Sequence, residues 1–299
     1  MKQPTKAIMY AAIAVISWST VATAFKIALR EVSYYEMLLI ASPVATFVFA
    51  IAVTVRKQWS AVTQLSGKQW ISFALTGLLN PFIYYLILFK AYDLLPAQIA
   101  QPINCMWPVV LLVMLAVMNR QKIPKFKYLG MFISLVGMFL ISSGFTGSSF
   151  RYGEISVPGL ALAFFSAFLW ALFWVVNRMN SATDSTVALF ISFLFGTVYL
   201  VAGIPFADVH LSVNQGFIAS IYVGIFEMGI PFTFFGLALR KTNNPTLINQ
   251  LCFLFPFISL IFIHFILGEN IQASTVTGLF LIVSGIIFNE YNFFKHTPS

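Results

Sequence analysis

One block of residues occurs twice in this chain, and both copies are too apolar to fold in water. Trp18 and Lys26 recur, with the same spacing, as Trp170 and Arg178. Gly130 and Gly137 recur as Gly278 and Gly285, and Pro108 and Ile123 recur at the same offset as Pro256 and Ile271. The tryptophan pair has a slightly longer offset, so a few residues are gained or lost between the blocks. A fold built on this chain must therefore come from two related halves.

Of the 299 residues, 60% are hydrophobic and only 9% charged, with a mean hydropathy of +0.89. A soluble domain of this size cannot hide so much apolar surface. The apolar character runs all the way round each segment, so these helices face lipid. Ten runs stand out, at roughly 7–29, 33–55, 69–91, 95–118, 126–144, 157–177, 186–204, 214–238, 245–267 and 272–291, each near the ~20 residues that span a bilayer. Ten divides into five and five. Five is odd, so the second unit enters the membrane from the opposite side to the first. The expected fold is an all-α membrane protein of ten transmembrane helices in two inverted five-helix repeats, residues 1–149 and 150–299. The Gly- and Ser-rich stretch Ser142–Gly159 reads as the connecting loop. Inverted repeats of this kind are typical of secondary transporters.

The basic residues set the orientation. With the N-terminus inside, the inner segments hold Lys2, Lys6, Arg56, Lys57, Lys68, the cluster Arg120 to Lys127, Arg178, Arg240, Lys241 and Lys295. Only Arg30 and Arg151 fall in outer loops, while Lys26 and Lys90 sit in helix ends that face outward. This positive-inside bias predicts cytoplasmic termini; the expected location is a bacterial inner membrane. The bias also accounts for the net charge of +8, so no nucleic-acid partner is expected. The first run is long enough to span and lacks a small-residue cleavage site, so it reads as an uncleaved insertion signal. Cys105 and Cys252 lie within apolar runs and suggest neither a disulfide nor a metal site. His210, His264 and His296 show no metal-ligand spacing, and no Gly-rich phosphate loop is present. An enzyme and an ATP-driven pump are thus disfavoured, and no cofactor is expected.

Several features together resemble the drug/metabolite transporter superfamily, and within it the ten-helix, twice-repeated EamA-type exporters. These are the tryptophan in the first helix of each half, the basic residue closing that helix, the Pro of the fourth, and the Gly-x6-Gly of the fifth. Gly268-Glu269-Asn270-Ile271 resembles the short turn which that family places between its last two helices. The stretch Asn104-Cys105-Met106-Trp107-Pro108 resembles the Asn-x-x-Trp-Pro of bacterial aromatic amino-acid exporters in the same superfamily. The resemblance covers nearly the whole chain and implies a central cavity bordered by the first, third and fourth helices of each half.

Polar groups at bilayer depth are costly, and those on these helices are candidates for substrate contact. Gln101 and Asn104 lie three apart on one face of the fourth helix, and Asn249 is the repeat-related counterpart of Gln101. Asn80 and Tyr84 lie four apart on the third helix, with Pro81 between them and Pro231 as its counterpart. Trp18, Trp107, Trp170 and Trp174 supply indole faces for an apolar side chain or a cation. Packing and helix–helix hydrogen bonding are the ordinary roles of such residues, Gln98 and Asn177 included. Glu227 is the deepest acid, flanked by Gly224, Gly229 and Pro231, and is the candidate proton or cation site. The expected activity is secondary transport by alternating access, exporting a small organic metabolite, an amino acid or related amphipathic compound. An organic-cation or drug exporter of the same fold is the alternative. A non-transporting receptor or structural membrane protein is the rival from another class.

Overall fold

A computed structural model of the chain describes residues 3–118, 120, 122–142, 155–179, 183–242 and 245–290. Among these residues there is no strand; the elements are helices joined by short turns. The first half contains α1 (Gln3–Ala28), α2 (Tyr34–Val55), α3 (Gly67–Leu94), α4 (Ala97–Met118) and α5 (Lys125–Ser142). The second contains α6 (Val157–Met179), α7 (Ser185–Gly203), α8 (Gln215–Lys241), α9 in two segments (Pro245–Cys252 and Phe255–Leu267) and α10 (Ala273–Glu290). Among the described residues nine helices are long and apolar enough to cross a membrane, and Ala273–Asn289 is a shorter apolar tenth. The ten apolar runs of the sequence correspond to these ten helices.

Helix starts follow from local chemistry. At α2, the Ser33 hydroxyl accepts the Glu36 N–H at 3.2 Å and the Glu36 carboxylate accepts the Ser33 N–H at 2.7 Å. Ser66 and Gln69 repeat this reciprocal cap at α3. Four helices are interrupted mid-membrane, at matching places in the two halves. A π-helical turn interrupts α3 at Leu78–Ile83, where Asn80 leaves helical geometry (φ −145°, ψ 118°) and Pro81 lacks an N–H. A second interrupts α8 at Gly224–Gly229, just before Pro231. The breaks in α4, at Cys105–Met106, and in α9, at Phe253–Leu254, each precede a proline, Pro108 and Pro256. Proline cannot donate to the carbonyl four residues earlier, so Asn104 and Cys252 lose that helical bond.

The packing is symmetric under exchange of halves. α1 packs on α8 and α9, and α6 packs on the equivalent α3 and α4. α2 packs on α7 and α5 on α10, and each of these pairs maps onto itself. With five spans per half, this is the inverted two-fold arrangement. At the α5–α10 contact the repeated glycines meet one another. A Cβ on Gly278 would lie 2.6 Å from the Gly137 carbonyl oxygen, and one on Gly130 would lie 2.6 Å from that of Gly285. Between them, the Ser134 hydroxyl donates to the Ile282 carbonyl at 3.1 Å. Missing side chains let two backbones touch where lipid offers no hydrophobic drive to associate.

Candidate functional site

The interrupted helices, with α1 and α6, enclose a cavity of about 690 Å³. Its walls are mostly rings. Tyr84 stacks tilted on Trp170, with centroids 4.8 Å apart, and Trp170 lies 5.5 Å from Phe232. Trp174 meets Trp170 edge-on at 6.0 Å and stacks on Trp107 at 6.2 Å. Trp18 sits edge-on to Phe232 and Phe235. All four tryptophans singled out in the sequence line the same space, with Tyr84.

The polar groups are few and oriented. Asn104 donates from Nδ2 to the hydroxyl of buried Ser166 at 2.8 Å, tying α4 to α6. Gln101 lines the cavity, only 4% exposed, with its Oε1 unpaired among the described residues. The indole N–H of Trp174 is likewise buried and unpaired. Such groups are rare in native proteins and ask for a partner. Glu227 enters from the π-helical turn of α8; its Oε1 accepts the Tyr85 hydroxyl at 3.1 Å, and its backbone carbonyl accepts the Trp18 indole N–H at 3.2 Å. Two expected members stand apart. Asn80 is fully buried with neither amide atom paired, and it does not border the cavity. The π-helical turn adds a residue to the turn and Asn80 itself is non-helical, so the four-residue spacing to Tyr84 no longer places both on one face. Asn249 belongs to α9, but its side chain lies outside the described residues.

The cavity ends differently on its two sides. It reaches Thr183, Ser185 and Arg240, at the helix ends that share a membrane side with residue 3. There Asp184 caps α7, accepting the Thr186 N–H at 2.9 Å, and pairs with Arg56 at 3.0 Å and Arg240 at 2.7 Å. Burial pushes its carboxyl up, but the Arg240 bond and the Thr186 N–H outweigh it and hold the group well below the usual carboxylate range. At the opposite end the cavity stops at Phe25 and Tyr92. Beyond them the two halves are joined by hydrogen bonds. Within the first half, Lys26 donates to the carbonyls of Tyr92 at 2.8 Å and Leu95 at 3.2 Å, tying α1 to the end of α3. Glu269 accepts the N–H groups of Ala97 at 3.0 Å and Gln98 at 3.3 Å, at the start of α4. The Gln98 amide donates to the Asn270 carbonyl at 3.1 Å and accepts from the Gln272 N–H at 3.1 Å and the Thr275 hydroxyl at 3.2 Å. Sequence reasoning left Gln98 as inter-helix glue and missed Glu269 and Tyr85, whose partners lie far away in the chain. Among the described residues no group of three His, Cys, Asp or Glu could hold a metal.

Comparison with known proteins agrees with this architecture. A Bacillus subtilis protein named "Uncharacterized transporter YvbV" is 26% identical over 223 residues, covering 73% of this chain and 71% of that protein. An "Uncharacterized transporter" of Archaeoglobus fulgidus is 23% identical over 282 residues, 92% of this chain and 95% of its own. A solved crystal structure covers 95% of this chain and 96% of its own with a TM-score of 0.67 at 19% identity, a likeness of fold alone. The EamA-like transporter family model matches residues 5–143 and again 157–291, once per half. The chain is a multi-pass membrane transporter and belongs to the EamA-like transporter family.

Proposed function

We propose that this transporter works by alternating access and exports a small organic metabolite, an amino acid or a related amphipathic compound, from the cytoplasm of a bacterial cell. The halves 1–149 and 150–299 are the moving units, with both termini cytoplasmic in the inner membrane. The observation that carries this reading is a cavity between the halves, reaching one membrane face and closed from the other by hydrogen bonds that join the halves. In this reading the chain faces inward. The rings of Trp18, Trp107, Trp170, Trp174 and Tyr84 hold the apolar body of the substrate. Gln101 and Asn104, with Asn249 from the other half, orient its polar end. Asn80 takes a supporting part, outside direct contact.

Glu227 is the proton or cation site in this scheme. It is the acid among the described residues that line the cavity, and the cation among them, Arg240, is paired with Asp184. Substrate export is then exchanged for proton entry. The same observation favours a second reading, an organic-cation exporter, because an acid among indole faces suits a cationic amine. A thermal-shift screen of purified protein against amino acids, amines and nucleotide sugars separates the two, since a ligand for the folded state raises its apparent stability. A stabilising hit is then followed into proteoliposomes. No flux for any hit would overturn the proposal.

A further inference from the structure

Glu227 is gripped from two directions, and one grip has no counterpart in the cavity wall. Its backbone carbonyl, which Pro231 four residues on cannot meet with an N–H, accepts the indole N–H of Trp18 on α1. Its Oε1 is taken by the hydroxyl of Tyr85, a residue of α3 that is 0% exposed and does not line the cavity. Oε2 has no protein partner among the described residues, so it is the oxygen left to the cavity. Glu227 thus has a protein-facing oxygen and a cavity-facing one. Tyr85 is fixed in turn by rings on either side, with Tyr84 at 4.7 Å and Phe89 at 5.3 Å.

We infer that Tyr85 is a positioning residue that sets when Glu227 releases its proton, through a hydrogen bond that exists in the inward-facing arrangement. This rests on Glu227 being the proton site proposed above. A hydroxyl bound to a carboxylate makes a bond roughly twice as strong as one bound to a neutral acid. Tyr85 therefore favours the ionised form here, and the proton leaves Oε2 for water on the cytoplasmic side. The bond crosses the boundary between halves, from α3, which packs on α6, to α8, which packs on α1. Movement of the halves that separates α3 from α8 removes the donor, and Glu227 then holds a proton taken from outside. Proton entry and substrate exit follow from one bond made and broken.

The surroundings leave this bond in control. Among the described residues the titratable group bonded to Glu227 is Tyr85 on α3, with Tyr84 beside it on the same helix. From α1 it meets Trp18, which does not titrate. From α2 its turn meets Ala41, Val44 and Val48 against Gly224 and Gly229, which bring no charge. The Lys26 ammonium is held by the Tyr92 and Leu95 carbonyls instead.

The test is an infrared titration of the full-length protein in lipid, following the carboxylic-acid C=O band, for wild type, Glu227→Gln and Tyr85→Phe. Phenylalanine keeps the ring and its contacts and removes only the hydroxyl. The expected result is a titrating band absent in Glu227→Gln, whose midpoint in Tyr85→Phe moves to higher pH by about one unit, a roughly ten-fold gain in proton affinity. A band lost in Glu227→Gln but unmoved in Tyr85→Phe overturns the role of Tyr85 and leaves the Glu227 reading standing. A band unchanged in Glu227→Gln removes Glu227 as the proton site, and the inference falls with it.

Discussion

Replacing Glu269 with Ala should let the cavity open outward. Its carboxylate holds two backbone N–H groups at the start of α4, at 3.0 and 3.3 Å, from across the boundary between halves. A carboxylate capping a helix start contributes about 1–2 kcal/mol through its hydrogen bonds and the helix dipole. In the proposed orientation those contacts belong to the closed outer face, so their loss falls on one side of the conformational equilibrium. About 2 kcal/mol corresponds to a shift of roughly 30-fold toward the outward-open form. The native thiols of Cys105 and Cys252 line the cavity and serve as probes. A membrane-impermeant maleimide applied to right-side-out vesicles should label wild type slowly and Glu269→Ala about 10–30-fold faster. Gln98→Ala, which removes three further bonds at the same place, should act in the same direction. Outside labelling that stays at the wild-type rate in folded Glu269→Ala and Gln98→Ala would refute the reasoning; these bonds would then only brace the α9–α10 turn.

Three other outcomes are expected. Gly278→Ala should destabilise the protein by about 1–3 kcal/mol in thermal unfolding, because its methyl would press into the Gly137 backbone, whereas Gly67→Ala, with no atom near its Cβ, should stay within about 0.5 kcal/mol. Asp184→Asn should cost about 1 kcal/mol, discounted for its partly exposed ion pairs. The folded-state carboxyl lies below its unfolded value, so its stabilisation is complete above the ordinary aspartate range and lost only as pH falls well below it. The difference between Asp184→Asn and wild type should therefore stay constant from about pH 7 to about pH 5. Asn104→Ala should cut transport in proteoliposomes by about five-fold or more, for a net hydrogen bond near 1 kcal/mol, while the protein stays folded in the membrane.

What the sequence made legible follows from how local each signal is. The ten spans needed only hydropathy over about 20 residues. The two halves needed only that Trp18, Gly130, Gly137 and Pro108 have matching partners in Trp170, Gly278, Gly285 and Pro256. Tyr85 was illegible for the opposite reason. It is one of 11 tyrosines beside 33 phenylalanines, and its importance comes from an acid 142 positions away. Lys26 shows in sequence only as a cation in a helix end that faces outward, but two backbone carbonyls, in the last turn of α3 and just past it, claim its ammonium. Asn80 shows a different limit. Its assignment beside Tyr84 assumed an unbroken helix, and the proline that was noticed there is the reason the helix is not unbroken.

The interruptions also explain why the polar groups can exist at this depth. A regular helix satisfies its own backbone and leaves nothing for a ligand. Here four helices give up bonds at mid-membrane, α3 and α4 in one half and α8 and α9 in the other. The breaks in α4, α8 and α9 each hold a residue that lines the cavity, Cys105, Glu227 and Phe253, while the break in α3 packs on α7. The Glu227 carbonyl freed in α8 is met by Trp18, so a cavity-lining indole stabilises the very turn that presents the acid. Unlike the glycine seam of α5 and α10, where backbones lock together, these breaks can rearrange without unpacking a helix along its length. In the proposed mechanism the pseudo-symmetric pairs thus divide the work: α5 and α10 hold the halves in register, and the interrupted helices of each half supply the parts that bind and move.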